Sequence, residues 1–179
     1  LLADPDNFRQ MLTRPLPVPY SSAAERGTEF HAALEKAFAL ESELDLDDWD
    51  SDQRALAENF ENSRFASRQP VFVEQSLEFE LGGTVVVCKL DAVFQNDSEF
   101  EIVDWKSGSS PASQEDVAKR AVQLALYRIG FARWQQLGIE KVKASFFFAS
   151  DGVEISPEVP SETELAARLA ELRTALRPL

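Results

Sequence analysis

The sequence contains very few residues of the kinds that build disulfide or metal frameworks. Its 179 residues include one cysteine, Cys88, and one histidine, His31. A single cysteine excludes an internal disulfide framework. Together the two residues are too few for a structural zinc site, and four-cysteine ligation of an iron–sulfur cluster within this chain is impossible. We therefore expect neither zinc nor an iron–sulfur cluster.

Long apolar runs are also absent. No run approaches the roughly 20 apolar residues that a membrane span needs. Residues 1–10, LLADPDNFRQ, lack the basic region and the following apolar stretch that mark a signal peptide. These absences lead us to expect a cytoplasmic protein with no membrane partner.

Positive charge is scarce. Lys and Arg number 18 against 31 Asp and Glu, which gives a formal net charge of −13. Affinity for nucleic acid comes largely from clustered Lys and Arg that neutralise phosphates. The charge therefore argues against a module whose main task is to bind nucleic acid through its phosphates. If the domain acts on DNA, we expect another component to hold the DNA for it.

The residues that are present indicate one globular domain. Hydrophobic residues make up 44% of the chain, with thirteen Phe, and a chain of this length can bury roughly 70% of its unfolded surface. Four prolines in residues 1–20 predict an extended lead-in. Because the chain starts without Met, we expect a fragment of a longer protein, in which residues 21–179 form the domain.

The hydrophobic period divides this domain into helices and strands. Phe30, Leu34 and Phe38 recur at helical spacing, whereas apolar and polar residues alternate from Ser76 to Leu81 as in a half-buried strand. The same patterns predict further helices over 52–67, 113–136 and 161–176. They predict strands over 71–81, 84–94, 99–106 and 141–149, of which the first three form an antiparallel meander.

The third strand ends on an acid and a base. Residues two apart on a strand point to the same face, so Asp104 and Lys106 project together while Trp105 faces the opposite way. Hairpin pairing brings Asp91 near them. Two carboxylates aimed at one point repel each other unless a cation lies between them, and hard oxygen ligands suit Mg²⁺ or Mn²⁺. From these residues alone, a metal site and a buried ion pair both remain open.

Two further features favour the metal site, although each also has an ordinary structural explanation. His31 lies on a helix that can pack against the sheet, where a neutral imidazole can complete a carboxylate site or simply occupy the core. Gln123 and Tyr127 are four apart on the long predicted helix and share one face. They can reach the same phosphate or base, or they can be solvent-facing or interfacial.

Together these residues resemble the RecB-type nuclease family of the PD-(D/E)XK superfamily. The resemblance lies in the order of five features, which are 27-GTEFH-31, Glu74, Asp91, 104-DWK-106 and 123-QLALY-127. More narrowly, 72-FVEQSLEFELGG-83, 90-LDAVF-94 and 102-IVDWKSG-108 resemble the C-terminal nuclease domains of actinobacterial RecB-like helicase-nucleases of the AdnAB or UvrD/RecB group. The similarity runs from about residue 14 to residue 150.

The resemblance implies an α/β (α+β) fold with a restriction-endonuclease-like core. Its mixed sheet would be built on the three-stranded antiparallel meander and flanked by helices. The resemblance also implies that His31, Asp91 and Asp104 bind the catalytic metal, with the backbone carbonyl of Trp105 as an additional ligand. Asp91 and Asp104 would thus act in catalysis beside the catalytic lysine, Lys106.

Other positions are assigned less fully by the resemblance. Gln123 and Tyr127 would contribute to the site or contact DNA. The family often has an acid at Glu74, but Glu78 is also near, and either could be an ordinary surface carboxylate. Cys88 departs from the family at a position where glycine is common, and a larger side chain there could crowd the neighbouring helix.

The implied activity is hydrolysis of DNA phosphodiester bonds by an Mg²⁺- or Mn²⁺-dependent exonuclease. In the family, a helicase motor in the same polypeptide delivers single strands to the nuclease during DNA end processing and recombinational repair, and a second helicase-nuclease subunit can be present. One alternative is a catalytically silent nuclease-like module that docks partners or guides DNA. Another is a free-standing RNA-directed or restriction-type nuclease.

Overall fold

The computed structural model describes residues 22–175, and the lead-in predicted for residues 1–20 lies outside them. Helix and strand bounds are, in chain order, α1 Ser22–Leu40, α2 Ser51–Glu61, β1 Phe72–Leu81, β2 Thr84–Asn96, β3 Glu99–Lys106, α3 Gln114–Trp134, β4 Val142–Phe148, β5 Val153–Ile155 and α4 Glu162–Ala175. A single 3₁₀ turn, Ile139–Lys141, precedes β4. Within residues 22–175, no helix is both long and apolar enough to cross a membrane.

The strands form one five-stranded sheet in the order β1-β2-β3-β4-β5. β1, β2 and β3 pair antiparallel, β4 lies parallel to β3, and β5 pairs antiparallel with β4. The parallel pairing follows from the long crossover through α3, which returns the chain to the starting end of β3. The predicted mixed sheet built on a three-stranded meander and flanked by helices is thereby confirmed.

One predicted element was wrong in its end, and one element was not predicted. The helix predicted over 52–67 ends at Glu61, where the side-chain amide of Asn62 donates to the carbonyl of Glu58 (2.9 Å) and the chain turns. Short polar side chains of this kind compete with helical backbone bonds. Strand β5 was not predicted, because it has three largely exposed residues and no alternation to detect. The other bounds predicted for elements agree within two residues.

Helices cover both faces of the sheet. α1 and α2 pack on one face over an aromatic cluster that includes Phe30, Phe38, Phe60, Phe65, Phe94 and Trp105. On the other face, α3 packs over a cluster that includes Leu77, Leu90, Ile102, Leu124 and Phe131. α4 extends the second face beneath the hairpin of β1 and β2. The sheet is therefore a central layer whose two faces belong to different clusters.

Strands β1 and β2 exchange faces at one cross-strand position. Leu90 packs on the α3 face, yet Ala92, two residues later, packs on the α1 face. Leu77 and Val73 on β1 show the same exchange. Between them lies Glu74, opposite Asp91, with a φ of +54°. Two-residue alternation is thus interrupted on both strands at once, which turns Glu74 and Asp91 out of the regular pleat.

The pairing of β2 with β3 stops at the same place. Its last pair is Ala92 with Val103. Beyond that pair β3 continues against β4, up to Lys106 opposite Phe148, while β2 continues against β1. The two strands therefore separate at Asp91, and their separation provides space beside the end of β3.

Helix α2 is tied to α1 at its first turn. The side chain of Asp50 accepts a hydrogen bond from the backbone N–H of Gln53, and the side chain of Gln53 accepts one from the backbone N–H of Asp50, both at 2.9 Å. This reciprocal capping satisfies two N–H groups at the helix start. The side-chain amide of Gln53 also donates to Glu29 of α1. The cap therefore supports the helix that carries His31.

We expect Asp50→Ala to lower the free energy of unfolding by about 1 kcal/mol, because it leaves a helix N-terminal N–H without its acceptor. Urea denaturation followed by circular dichroism measures the change. Asp48→Ala is the matched control, since Asp48 is exposed on the same connection and its removal changes the net charge equally. Equal destabilisation by both substitutions would show that the cap contributes nothing specific.

Candidate active site

The predicted site residues line a cleft of about 290 Å³ where β2 and β3 separate. Seven of them contribute to its walls, namely His31, Asp91, Asp104, Trp105, Lys106, Gln123 and Tyr127. A larger cavity, of about 620 Å³, lies between the carboxyl ends of α1 and α2. Among the described residues, however, the group that could hold a metal ion is His31, Glu74 and Asp91, and two of its members, His31 and Asp91, line the smaller cleft. Chemistry rather than volume therefore identifies the site.

Asp91 is fixed by the backbone of β3. Its Oδ2 accepts a hydrogen bond from the backbone N–H of Trp105 at 2.8 Å, just past the last β2–β3 pair. The Nδ1 of His31 lies 3.6 Å from the same oxygen. Burial, followed by the negative charge of Asp104, raises the pKa of Asp91 well above its usual range. A nearby cation would reverse both effects by favouring the charged carboxylate.

His31 reaches the cleft from α1. Burial lowers the pKa of its imidazole, against the opposing influence of Asp104 and of the Trp105 backbone. The ring is thus neutral at pH 7, which is the form that binds metals. Gly27, one turn earlier, lets the helix approach, since a Cβ on this residue would lie 2.7 Å from the Oγ of Ser107. The four-residue spacing in 27-GTEFH-31 therefore places the close approach and the imidazole on one helix face.

Asp104 belongs to a second group of polar side chains. Its Oδ2 lies 2.6 Å from the Nζ of Lys106, and its Oδ1 accepts a hydrogen bond from the Nε2 of Gln123 at 2.8 Å. The same Nε2 donates to the hydroxyl of Tyr127 at 2.6 Å, and Lys106 donates to the Oε1 of Gln123 at 3.3 Å. Burial, then the charge of Asp104, raises the pKa of Tyr127 far above neutral pH, so the phenol stays protonated.

The donor set fits a divalent cation. Ligand atoms of His31, Glu74 and Asp91 all lie within 4.8 Å of one another. Imidazole nitrogen and carboxylate oxygens suit Mn²⁺ or Mg²⁺. The Oδ2 of Asp104 is buried and accepts no hydrogen bond of good geometry from any described residue, even though the ammonium of Lys106 is close. The close group of one imidazole and two carboxylates therefore indicates a place for a cation.

The grouping differs in detail from the sequence-based ligand set. We expected His31, Asp91 and Asp104 to share the metal, but Glu74 completes the most compact group, while Asp104 faces Lys106 and Gln123. Glu74 also pairs with Lys89. Glu78 is exposed on the same strand. The geometry therefore favours Glu74 over Glu78 as the nearby acid.

Trp105 and Cys88 are placed on opposite sides of the sheet. The indole of Trp105 is 2% exposed and packs in the aromatic cluster, so that only its backbone faces the cleft. Cys88 packs against the cluster that contains Tyr127, and burial raises the pKa of its thiol to about 11. The thiol is therefore protonated at neutral pH. The predicted effect of Cys88 on the fine geometry of the site stays a prediction.

Sequence reasoning gave no role to five residues of the cleft, namely Ser107, Gly108, Ser109, Arg120 and Phe148. Arg120 and Ser107 both contribute to its walls. Arg120 could have been found, because it lies three residues before Gln123 and thus on the same helix face. Ser107 directly follows Lys106 in the stretch 102-IVDWKSG-108, but its contact with α1 at Gly27 depends on tertiary packing that the sequence does not show.

We expect Mn²⁺ to bind the cleft, and Glu74→Gln to weaken its binding by roughly tenfold or more, because a carboxylate at the site is lost. Calorimetric titration measures the dissociation constant, and Asp91→Asn should remove the tight site. Glu78→Gln is the matched control, with the same charge change on the same strand. A loss of affinity as large for Glu78→Gln as for Glu74→Gln would refute the assignment of Glu74.

We expect Asp91→Asn to stabilise the metal-free protein at high pH. Because its pKa is raised, the Asp91 carboxyl of the folded protein keeps its proton at pH values at which the carboxyl of the unfolded chain has already lost it. This group therefore makes the folded protein less stable as the pH rises from about 5 to about 8. Asn keeps an acceptor for the Trp105 N–H without the charge. Urea unfolding in EDTA should show a gain on the order of 1 kcal/mol at about pH 8 that shrinks towards pH 5. A gain that grows as the pH falls would contradict this explanation.

Comparison with known proteins agrees with this geometry. The model of the PD-(D/E)XK nuclease superfamily matches residues 8–179. A solved structure of a candidate exonuclease from Eubacterium rectale has a TM-score of 0.60 at 12% identity, covering 95% of this chain and 77% of that one. At such identity the likeness shows the fold alone.

A second solved structure, of the protein SSO0001, has a TM-score of 0.46 at 17% identity, covering 88% of this chain and 63% of that one, and supports no conclusion. No curated protein matches the sequence. The family model, however, extends over nearly the whole chain, including α1, the sheet and α3. The chain therefore belongs to the PD-(D/E)XK nuclease superfamily.

Proposed function

We propose that this domain is a divalent-metal-dependent deoxyribonuclease that hydrolyses phosphodiester bonds. The observation that carries the proposal is the meeting of Lys106 with His31, Asp91 and Asp104 in one cleft, with the carboxylate of Glu74 close to His31 and Asp91. Nuclease chemistry requires stabilisation of negative charge on phosphate and activation of water. The cleft offers groups for both.

The residues that would hold the metal are His31, Asp91 and Asp104, with the backbone carbonyl of Trp105 and with Glu74 nearby. Mg²⁺ or Mn²⁺ bound there would supply a Lewis acid that lowers the pKa of water and offsets charge on a phosphate oxygen. The protein contributes a neutral imidazole and buried carboxylates. These groups are costly to bury without a positive charge between them.

Lys106 is the proposed catalytic residue. Its ammonium lies 2.6 Å from Asp104 and donates to Gln123 at 3.3 Å, so two acceptors hold it at the cleft. From this position it can orient an attacking water or neutralise charge that develops on the phosphate. Its side chain remains partly exposed, at 27%, which leaves it accessible to substrate.

Gln123 and Tyr127 position this machinery. The amide of Gln123 bonds to Asp104, Lys106 and Tyr127, and thereby fixes the lysine relative to the aspartate. The Tyr127 hydroxyl accepts from Gln123, so its own proton is free to point into the cleft towards a phosphate oxygen. The silent-module alternative would be favoured by the loss of the lysine or an aspartate, whereas this cleft contains all of them.

We infer a helicase-coupled context from the RecB-type motifs and from the net charge of −13. An acidic domain attracts DNA poorly. A motor in the same chain, or in a partner helicase-nuclease subunit, would supply single strands and most of the phosphate contacts. Exonuclease action in cytoplasmic DNA end processing and recombinational repair follows from that context as part of the proposal.

We expect Lys106→Gln and Asp104→Asn each to reduce DNA cleavage by roughly 100-fold or more, because each removes charge that acts at the reacting phosphate. The assay uses labelled single-stranded DNA with Mg²⁺, Mn²⁺ or EDTA. Circular dichroism checks that the variants are folded. Lys143→Gln is the control, since Lys143 is exposed and pairs with Glu99. Metal-dependent cleavage retained by either purified site variant would refute these roles.

A further inference from the structure

Arg120 differs from the other arginines between residues 22 and 175 in having neither an ion-pair partner nor a hydrogen-bond acceptor. The others pair with carboxylates, donate to backbone carbonyls or have another interaction. Asp116, one turn earlier on α3, accepts instead from Ser113 at 2.7 Å and from Lys119 at 3.5 Å. Besides the hydrogen bond from Ser113, the charge of Arg120 contributes to lowering the pKa of Asp116, but its guanidinium makes no hydrogen bond or ion pair with the described residues.

This free guanidinium lies at the mouth of the cleft. Arg120, Gln123 and Tyr127 are spaced by three and four residues and share one face of α3. Along that face, burial decreases from the buried Tyr127 through the half-buried Gln123 to the exposed Arg120. The three side chains thus form a polar row that leads from the floor of the cleft to its entrance.

Small residues form another part of the wall of the cleft. Ser107, Gly108 and Ser109 follow β3 and line the same cleft. No described atom lies within 4 Å of the point that a Cβ on Gly108 would occupy. The wall of the cleft is therefore open at Gly108.

Charge within the cleft gives this arginine a particular importance. Asp104 and, when it is ionised, Asp91 repel an anionic substrate, and the ammonium of Lys106 is already engaged with Asp104. Arg120 is the uncommitted cation at the entrance. Guanidinium groups bind phosphate through two parallel hydrogen bonds, a geometry that lysine cannot offer.

We propose that Arg120 binds the phosphate adjacent to the one that is cleaved, and so positions the nucleic acid strand in the cleft. This role rests on the proposed function. Three residues along a helix span about 4.5 Å, and the long arginine side chain extends this reach further towards the entrance. A phosphate next to one held near Lys106 and Gln123 therefore falls within reach of the long Arg120 side chain.

The test compares two substrates of the full chain with Mn²⁺. One is a single-stranded oligonucleotide, and the other is bis(p-nitrophenyl) phosphate, which has a single phosphate and no neighbour. Arg120→Gln should raise KM for the oligonucleotide roughly tenfold and reduce the salt dependence of binding by about one counterion. The same substitution should reduce kcat/KM for bis(p-nitrophenyl) phosphate by a factor at least about fivefold smaller than the factor for the oligonucleotide. Arg120→Lys should restore part of the oligonucleotide KM.

Lys119→Gln is the matched control, because it removes the same charge from the same helical turn but Lys119 pairs with Glu115 at 3.2 Å. Equal losses on both substrates for Arg120→Gln, or an equal effect of Lys119→Gln on the oligonucleotide, would overturn the role of Arg120 alone. If the unaltered chain cleaves neither substrate, the proposed function fails and this role fails with it.

Discussion

The hydrogen bond from the backbone N–H of Trp105 to the carboxylate of Asp91 is the interaction on which the site depends. It occupies the position where the next ladder bond between β2 and β3 would form, and so satisfies a buried backbone donor while the strands separate. The separation makes the cleft. The same bond fixes Asp91 relative to Asp104 and Lys106, the neighbours of Trp105 on β3. Sheet geometry and site geometry are thus set by one contact.

This arrangement is electrostatically unfavourable, because it buries one aspartate close to another. Asp91 is buried near Asp104, and its raised pKa reflects both burial and like charge. Around the aspartates, the network of Lys106, Gln123 and Tyr127 satisfies one oxygen of Asp104 fully and leaves the other without a well-directed donor. A protein with these polar groups buried in the site is less stable than one with apolar residues there would be. The site is, however, preorganised to bind a cation and a phosphate. Functional sites commonly hold strain of this kind.

Much of this arrangement could be predicted from short-range rules. Two-residue alternation placed Asp104 and Lys106 together, and helical spacing placed Gln123 beside Tyr127, because both patterns depend only on neighbours in the chain. The exchange of faces at Glu74 and Asp91 could not be predicted, since it requires a positive φ at a glutamate, which its residue type does not favour. The approach of α1 to Ser107 and the open wall at Gly108 likewise depend on tertiary packing. The short β5 forms only because β4 provides an edge for it.

The indole of Trp105 joins the cleft to the core behind it. Its ring packs with those of Phe38, Phe60, Phe65, Phe94 and Phe147, while its backbone N–H holds Asp91 on the other side of the same strand. The positions of the reacting groups consequently depend on the aromatic packing under α1 and α2. Substitutions in that packing, even far from any ligand, will alter the spacing between Asp91 and Asp104. The core residues and the site residues of this domain must therefore evolve together.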